Sequence, residues 1–486
     1  MDDSIRPDPA LQGPVILDRS RHSISRRDID PDALKVLYRL SSHGFIAYLV
    51  GGAVRDLLLG RHPVDFDIST DAHPNQIKKL FRNAFLIGRR FRLAHIRFQG
   101  GKVIEVATFR RKPDEEELEA ERAEQEEADR AAQAGDEPST HAETPTPSSA
   151  QKPIPIPGRP PLKPIAFGTP QEDAFRRDIT INALFYDIST YSVIDYVGGL
   201  EDLRLGRVRM IGEPGERFTE DPVRIWRVIR HASRVDFTIE ERTEQAIPAH
   251  LPLLAKVSGA RLFEELNKDL KSGAARPFFE LARRHALLPV ILGQVGEFFQ
   301  RSDEAFGRLA ESLAAVDAAI ARGGSPSADI VYSLLIWPWA RTVLASAEED
   351  KPKALYAAFR ETKPAATIPK GILLDAVHTL AIVEIMLEAL STGRMRWGLR
   401  KRAHYPGASK ICSFLVQGTF GGGEDPFGRI FNARFAPDRE PEAAPEDAMG
   451  DSRHPESGQA PAGPTHRRRR RRRPRRRRPA PQGPAA

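Results

Sequence analysis

The chain alternates between periodic and aperiodic stretches, and the periodic ones predict its elements. Residues 31–44, PDALKVLYRLSSHG, read as an amphipathic helix ended by Gly44. FIAYLV, residues 45–50, is a continuous apolar run and predicts a buried strand. GGAVRDLLLG predicts a glycine turn running into a short helix, VDFDIST a second strand, and NQIKKLFRNA a helix. FRLAHIRF and KVIEVATFR alternate as strands do. The pattern then stops. Residues 111–165 begin with an acidic run, DEEELEAERAEQEEADR, and continue into a Pro/Ser/Thr-rich stretch that cannot bury enough apolar surface to pack. It resumes at FGTPQEDAFRRDITINALFYD, and VIDYVGGLEDLRLGRVRMIG completes a strand and turn.

From Glu216 onward the spacing turns helical, as in EDPVRIWRVIRHASRV, SGARLFEELNKDLKSG and ILLDAVHTLAIVEIMLEAL. After Phe435 the chain becomes polar and rich in Pro and Gly. The expected organisation is a flexible N-terminus over 1–30 and an α/β head over 31–212, with 111–165 as a disordered insertion in it. A helical neck over 213–299 and a helical region over 300–432 follow, then a disordered tail over 433–486.

Composition narrows the class. Hydrophobic residues make up 40% of the chain, and no run of 18 apolar residues occurs, so no transmembrane helix is expected. The first residues, MDDSIRPDPALQGP, lack the basic and apolar regions of a signal peptide. A single cysteine, Cys412 in the apolar run ICSFLV, excludes an internal disulfide and a Cys-based zinc site, and reads as a core residue. A reducing cytoplasm fits this usage. The formal charge of +7 is local in origin. Eleven arginines at 467–473 and 475–478 exceed it, so the rest of the chain is net acidic.

The candidate chemistry starts with Asp65 and Asp67. On a strand, residues i and i+2 face one side, with Phe66 turned the other way into the core. Two adjacent carboxylates repel unless cations lie between them, and a pair of Mg²⁺ ions suits phosphoryl chemistry. Alone, such a pair is a weak signal and more often marks a surface loop or turn. Gly51 and Gly52 follow the first strand. They are either a tight connection or a turn whose backbone amides cradle a triphosphate, with Arg55 one turn further on. Glu105, between apolar Ile104 and Val106, is either edge-exposed or a third ligand. Arg176, Arg177, Asp178 and Asn182 in RRDITIN form either structural salt bridges or a grip on ribose and phosphate. Glu220, Asp221, Arg224 and Arg227 gather at a helix start. Asp221 and Arg224, three apart, form either a cap with a surface ion pair or an acceptor–donor edge that hydrogen-bonds a base.

Five motifs occur in order between about residues 49 and 270: LVGGAVRDLLLG, DFDIST, IEVATFR, RRDITINAL and EDPVRIWRVIR. Together they resemble the class II nucleotidyltransferase superfamily, which contains CCA-adding tRNA nucleotidyltransferases and bacterial poly(A) polymerases. The resemblance implies a polymerase-β-like catalytic head, a mixed sheet with helices, followed by an all-α neck, body and C-terminal region. It makes Asp65 and Asp67 the ligands of two Mg²⁺ ions, with Mn²⁺ as an alternative, and Glu105 and Asp178 further catalytic acids. Gly51, Gly52 and Arg55 would bind triphosphate. Arg177, Asp178 and Asn182 would contact ribose and phosphates. Asp221 and Arg224 would read the base, with Arg227 nearby.

Residues 86–96, LIGRRFRLAHI, resemble the signature of poly(A) polymerases rather than the Gly-x-x-Phe-Gly or Gly-x-x-Phe-Pro of CCA-adding enzymes, with Arg89, Arg90 and His95 as the telling positions. The resemblance therefore implies ATP-dependent addition of adenylates to RNA 3′ ends, with CCA addition to tRNA as the alternative and a catalytically inactive RNA-binding protein as a third reading. Its implied partners are ATP and the 3′ ends of messenger and small RNAs, with tRNA a further candidate, and proteins of RNA decay. The arginine tract, represented by Arg467, Arg470, Arg473, Arg475 and Arg478, is expected to hold RNA through its phosphates without reading sequence, or else to be a solvated tail.

Overall fold

The computed structural model describes residues 13–88, 93–111, 167–347, 350–423 and 425–435. Helix α1, Pro31–Ser42, starts where the Asp30 carboxylate accepts the amides of Asp32 and Ala33. It buries Ala33, Val36, Leu37 and Leu40 along one face. Strand β2, Ala47–Val50, leads into α2, Gly52–Leu58. Strand β3 is Asp67–Thr70, and α3, Pro74–Leu80, precedes β4, Ala84–Ile87. Strands β5, Leu93–Arg97, and β6, Val103–Thr108, follow. Helix α4, Pro170–Arg176, opens on a reciprocal cap between Thr169 and Glu172. Strands β7, Leu184–Asp187, and β8, Ser192–Asp195, close the head with α5, Gly199–Leu205.

With β1, Val15–Leu17, these strands form one eight-stranded sheet in the order β1-β8-β7-β2-β3-β6-β5-β4. All neighbours are antiparallel except β3 and β6, which run parallel. One core lies between the sheet and α1, α2 and α3, and a smaller one around Val50, Phe109 and Phe185.

The rest is largely helical. Helices α6, Pro214–Glu220, and α7, Val223–Val235, lead away from the head. Next come α8, Glu241–His250, α9, Gly259–Leu270, α10, Ala275–Arg284, α11, Leu287–Leu292, and α12, Gln294–Arg301. The remaining helices are α13, Asp303–Ala321, α14, Ala328–Ser346, α15, Lys351–Glu361, α16, Lys370–Thr392, α17, Tyr405–Gln417, and α18, Pro426–Phe435. One continuous apolar core runs from Ile179, Ile181 and Met210 of the head through Trp226 and Phe278 to Phe427. The head and the first helices are therefore welded by side-chain packing. Among the described residues, no helix is long and apolar enough to cross a membrane.

Several expectations change. Residues 1–30 read as a loose end, yet Val15–Leu17 pairs with β8, and Ile24 and Ile29 are buried in the head core. The strand is three residues long and leaves Val15 and Ile16 exposed, so it carries no alternation to detect. Strand β4 also went unread, because Phe85 and Ile87 lie on an exposed edge. The strand expected over VDFDIST begins only at Asp67, which leaves Asp65 in the loop before it. Cys412 is fully buried, and burial pushes its thiol up to about 12. Residues 112–165 of the insertion, Arg89, Arg90 and the arginine tract, Arg467 to Arg478, lie outside the described residues.

Candidate active site

The end of β2 and the start of β3 set the floor of the site. Val50 pairs with Asp67 across the antiparallel ladder, so Gly51 and Gly52 leave β2 beside the acidic pair. Gly51 takes φ +74°, a conformation side-chain-bearing residues rarely adopt. A Cβ there would lie 3.5 Å from Nη1 of Arg177, and a Cβ on Gly52 would lie 3.5 Å from Nη2 of Arg55. The turn is bare where two guanidiniums approach it.

Asp65 and Asp67 are both exposed to an open cavity of ≈ 920 Å³. Phe66, between them, packs against the head core. Asp67 opens on the cavity but is seated low between its walls, and that burial raises its carboxyl to about 6; the charges of Glu105 and Asp65 push the same way, and Arg177 opposes them. This crowding of acids suits a hard divalent cation, whose charge would keep both carboxylates ionised. Among the described residues, no group of three or more His, Cys, Asp or Glu gathers as a metal cage. The expectation for Glu105 is corrected in this respect. It sits next to Asp67 in the β3–β6 register, but it does not line the cavity. It faces His95 on β5, with Oε1 3.3 Å from Nε2, because the antiparallel β5–β6 register sets the two residues opposite each other. Its effect on the pair is electrostatic.

The same cavity is lined by Arg55, Arg177, Asp178, Asn182, Asp221, Arg224 and Arg227. Their hydrogen bonds refine the sequence reading. Arg55 is buried, donating to Asp56 at 2.8 Å and to Oδ1 of Asn182 at 2.7 Å. It sits beneath the turn and fixes Asn182. Arg177 donates to buried Asp173 at 2.9 Å, to the Asn182 carbonyl at 3.3 Å and to the Ser69 hydroxyl at 3.3 Å.

Asp178 accepts from Arg227 and from the Ile179 amide. Burial opposes its ionisation, but the charge of Arg227 and those hydrogen bonds outweigh it and hold its carboxyl well below the usual range. Asp178 thus anchors a cation across the cleft, 49 residues away in the chain. The side chains of Asp221 and Arg224 do not pair with each other. Asp221 accepts from Arg261 of α9 at 2.8 Å, and Arg224 donates to Glu220 at 2.8 Å.

Four further residues take part, and of these only Asp173 carries a local spacing signal. Asp173 sits three and four residues before Arg176 and Arg177 on one helical turn and binds both. Burial opposes its charge, but Arg177 and Arg176 hold its carboxyl below the ordinary range. His231 follows the arginine series of α7, and its Nε2 lies 3.2 Å from Nδ2 of Asn182. Burial keeps its imidazole neutral despite Asp178. With Asn182 Oδ1 taken by Arg55, the amide nitrogen faces a His231 acceptor. Arg61 and Arg261 are the others: Arg61 donates to the carbonyls of Arg234 and Val235 and ties the head to α7.

Comparison with known proteins follows the same divisions. A family described as "Poly A polymerase head domain" matches residues 47–209, and one described as "Probable RNA and SrmB- binding site of polymerase A" matches 236–297. Poly(A) polymerase I of Salmonella typhi is 37% identical over 370 residues, covering 76% of this chain and 72% of that protein. The CCA-adding enzyme of Lactobacillus helveticus is 34% identical over 241 residues, 50% of each chain. The solved structure of the Bacillus stearothermophilus CCA-adding enzyme in complex with CTP has a TM-score of 0.54 at 24% identity, over 84% of this chain and 83% of that one. That likeness is one of fold: a mixed sheet followed by helices. The match to the polymerase extends much further along both chains than the match to the CCA-adding enzyme. This chain belongs to the bacterial poly(A) polymerase family, and it is a nucleotidyltransferase.

Proposed function

We propose that the cleft between the head and α7 binds ATP and joins its adenylate to the 3′ hydroxyl of an RNA, with release of pyrophosphate. The observation that carries this reading is the meeting of the exposed Asp65 and Asp67 with a bare glycine turn and a ring of guanidiniums in one cavity. In this reading Asp65 and Asp67 would hold two Mg²⁺ ions, whose charge would lower the pKa of the attacking 3′ hydroxyl and offset the negative charge on the transferred phosphate. Gly51 and Gly52 admit the triphosphate to close backbone approach, and Arg177 supplies charge beside it.

Arg55, His231 and Asn182 act as a unit. Arg55 and His231 fix the orientation of the Asn182 amide, which then meets the ribose in one pose. Asp178 sets Arg227, and Arg261 sets Asp221, so that Asp221 and Arg224 present an acceptor and a donor to the base. The protein thus contributes mainly position and preorganised charge, as phosphoryl chemistry requires. Residues 236–297 are the proposed RNA-binding part, and RNA-decay proteins are the expected protein partners. A single buried thiol is consistent with a cytoplasmic setting.

The test uses an unrelated RNA ending in either a 3′ hydroxyl or a 3′-deoxy sugar, with ATP and Mg²⁺. Extension and stoichiometric pyrophosphate release are expected from the first RNA only. Pyrophosphate released equally with both would contradict attack by the 3′ hydroxyl.

A further inference from the structure

The connection from α16 to α17 carries chemistry that the catalytic cleft does not use. Residues 393–404 read GRMRWGLRKRAH, with five cations and no acid. Gly393, at φ +70°, ends α16, and Gly398, at φ +78°, opens the turn Leu399–Lys401. Leu399 is buried in the helical core, and Met395 packs against that core. Trp397 lies between these two anchors and is 95% exposed. The contrast within the chain is sharp: Trp226, Trp337 and Trp339 are 0%, 3% and 9% exposed. A Trp held outward by inward-facing neighbours forgoes the burial that its large apolar ring would otherwise gain.

The cations divide into two sets. Arg396 pairs with Glu388 and Arg400 with Asp425, each at 3.1 Å, which fastens the loop to α16 and to the start of α18. Arg394, Lys401 and Arg402 have no carboxylate within 4.0 Å among the described residues, and all three are exposed. Lys401 Nζ stands 5.5 Å from the Trp397 ring centroid on one side of the indole. The exposure of the ring leaves its other side open.

We propose that Trp397, with Arg394, Lys401 and Arg402, is a binding platform for single-stranded RNA, outside both the cleft and residues 236–297. A base stacks on the free face of the indole, and the flanking phosphates meet the three unpaired cations. An aromatic face beside cations is the arrangement that binds unpaired nucleotides without sequence preference. A basic patch with one indole could also meet an anionic membrane surface. Interfacial anchoring draws on a broad apolar face, however, and here Met395 and Leu399 are turned inward. One ring suffices for one base. The proposal rests on RNA being the substrate.

The experiment compares the full chain with Trp397→Ala and Trp397→Phe. Ligands are a labelled 20-nucleotide oligo(A), an RNA duplex of equal length, and phosphatidylglycerol vesicles. Because Trp397 touches no core, the variants keep the wild-type melting temperature. Trp397→Ala is expected to weaken oligo(A) binding about tenfold, with Phe retaining most of it and duplex affinity unchanged. Oligo(A) should quench indole emission in the wild type, and this quenching should be lost in Trp397→Ala. Equal oligo(A) affinity in wild type and Trp397→Ala overturns the proposal, as does a loss confined to vesicle binding. ATP incorporation by the wild type, measured in parallel, reports separately on the catalytic reading.

Discussion

Replacing Asp65 and Asp67 together with alanine is expected to reduce ATP incorporation by about a thousandfold or more, the size of the several kcal/mol of transition-state stabilisation that metal ions supply. The fold should survive. Both carboxylates are exposed to the cavity, and β3 is held by β2 and β6 on its two sides. Stability moves in the opposite direction to activity. Burial, Glu105 and Asp65 all disfavour the charged form of Asp67, so the acids strain one another when no cation is bound. Their removal should leave the melting temperature unchanged or raise it, in the manner of sites that keep function at the expense of stability. The check is a rate measurement beside a thermal melt without added metal. A variant with near wild-type incorporation would refute the metal assignment. A variant that loses activity only because it unfolds would leave the loss unrelated to chemistry.

The largest stability effect is expected at Asp269. Its carboxylate is fully buried and accepts from four donor groups on three residues: Trp226 Nε1 at 2.6 Å, Arg230 Nε at 2.7 Å and Nη2 at 2.9 Å, and Arg234 Nη2 at 3.2 Å. Arg230 is buried too and also donates to Glu265. Asp269→Ala leaves a buried guanidinium with half its partners and an indole N–H with none. Breaking a buried pair from one side costs about 3–5 kcal/mol, because the remaining charge stays out of water. Glu265→Ala should cost less, since Arg230 keeps its two bonds to Asp269. Denaturant titration of both variants gives the order. A change below about 1 kcal/mol for Asp269→Ala would show that the network contributes little. Helix α7 carries Arg224 and Arg227 into the cleft, so partial loosening there should also lower the affinity for ATP.

How far the sequence could be read depends on where each feature's partners lie. Helix α1, the glycine turn and the helical spacing of α7 are local patterns, and each appears in the fold where the spacing set it. Asp65 and Asp67 are close in sequence too, and both line the cavity, although Asp65 lies in the loop before β3 and not on the strand that the spacing predicts. Strands β1 and β4 were not, since short edge strands with exposed faces lack alternation. The engagement of Asp178 by Arg227 and of Asp221 by Arg261 spans 49 and 40 residues. Such pairings are set by how α7 and α9 pack, which no window of sequence contains. The same limit hid the partner of Glu105. A Glu between two apolar residues signals an acid on a strand, but the neighbouring strand decides whether it meets Asp67 or His95. Asp221 and Arg224 invited pairing by their spacing, yet Asp221 lies in the break between α6 and α7 while Arg224 is on α7, and each side chain reaches a different partner.

The cleft is proposed to add adenylates without a template. This is tested most directly by supplying purified protein with Mg²⁺ and a single nucleotide, ATP or CTP, on two RNAs: an unrelated transcript and a tRNA lacking its terminal CCA. The account predicts long adenylate tails on the unrelated transcript from ATP alone and little incorporation from CTP on either RNA. Addition of two cytidylates to the tRNA from CTP, with the unrelated transcript left unextended by ATP, would contradict it.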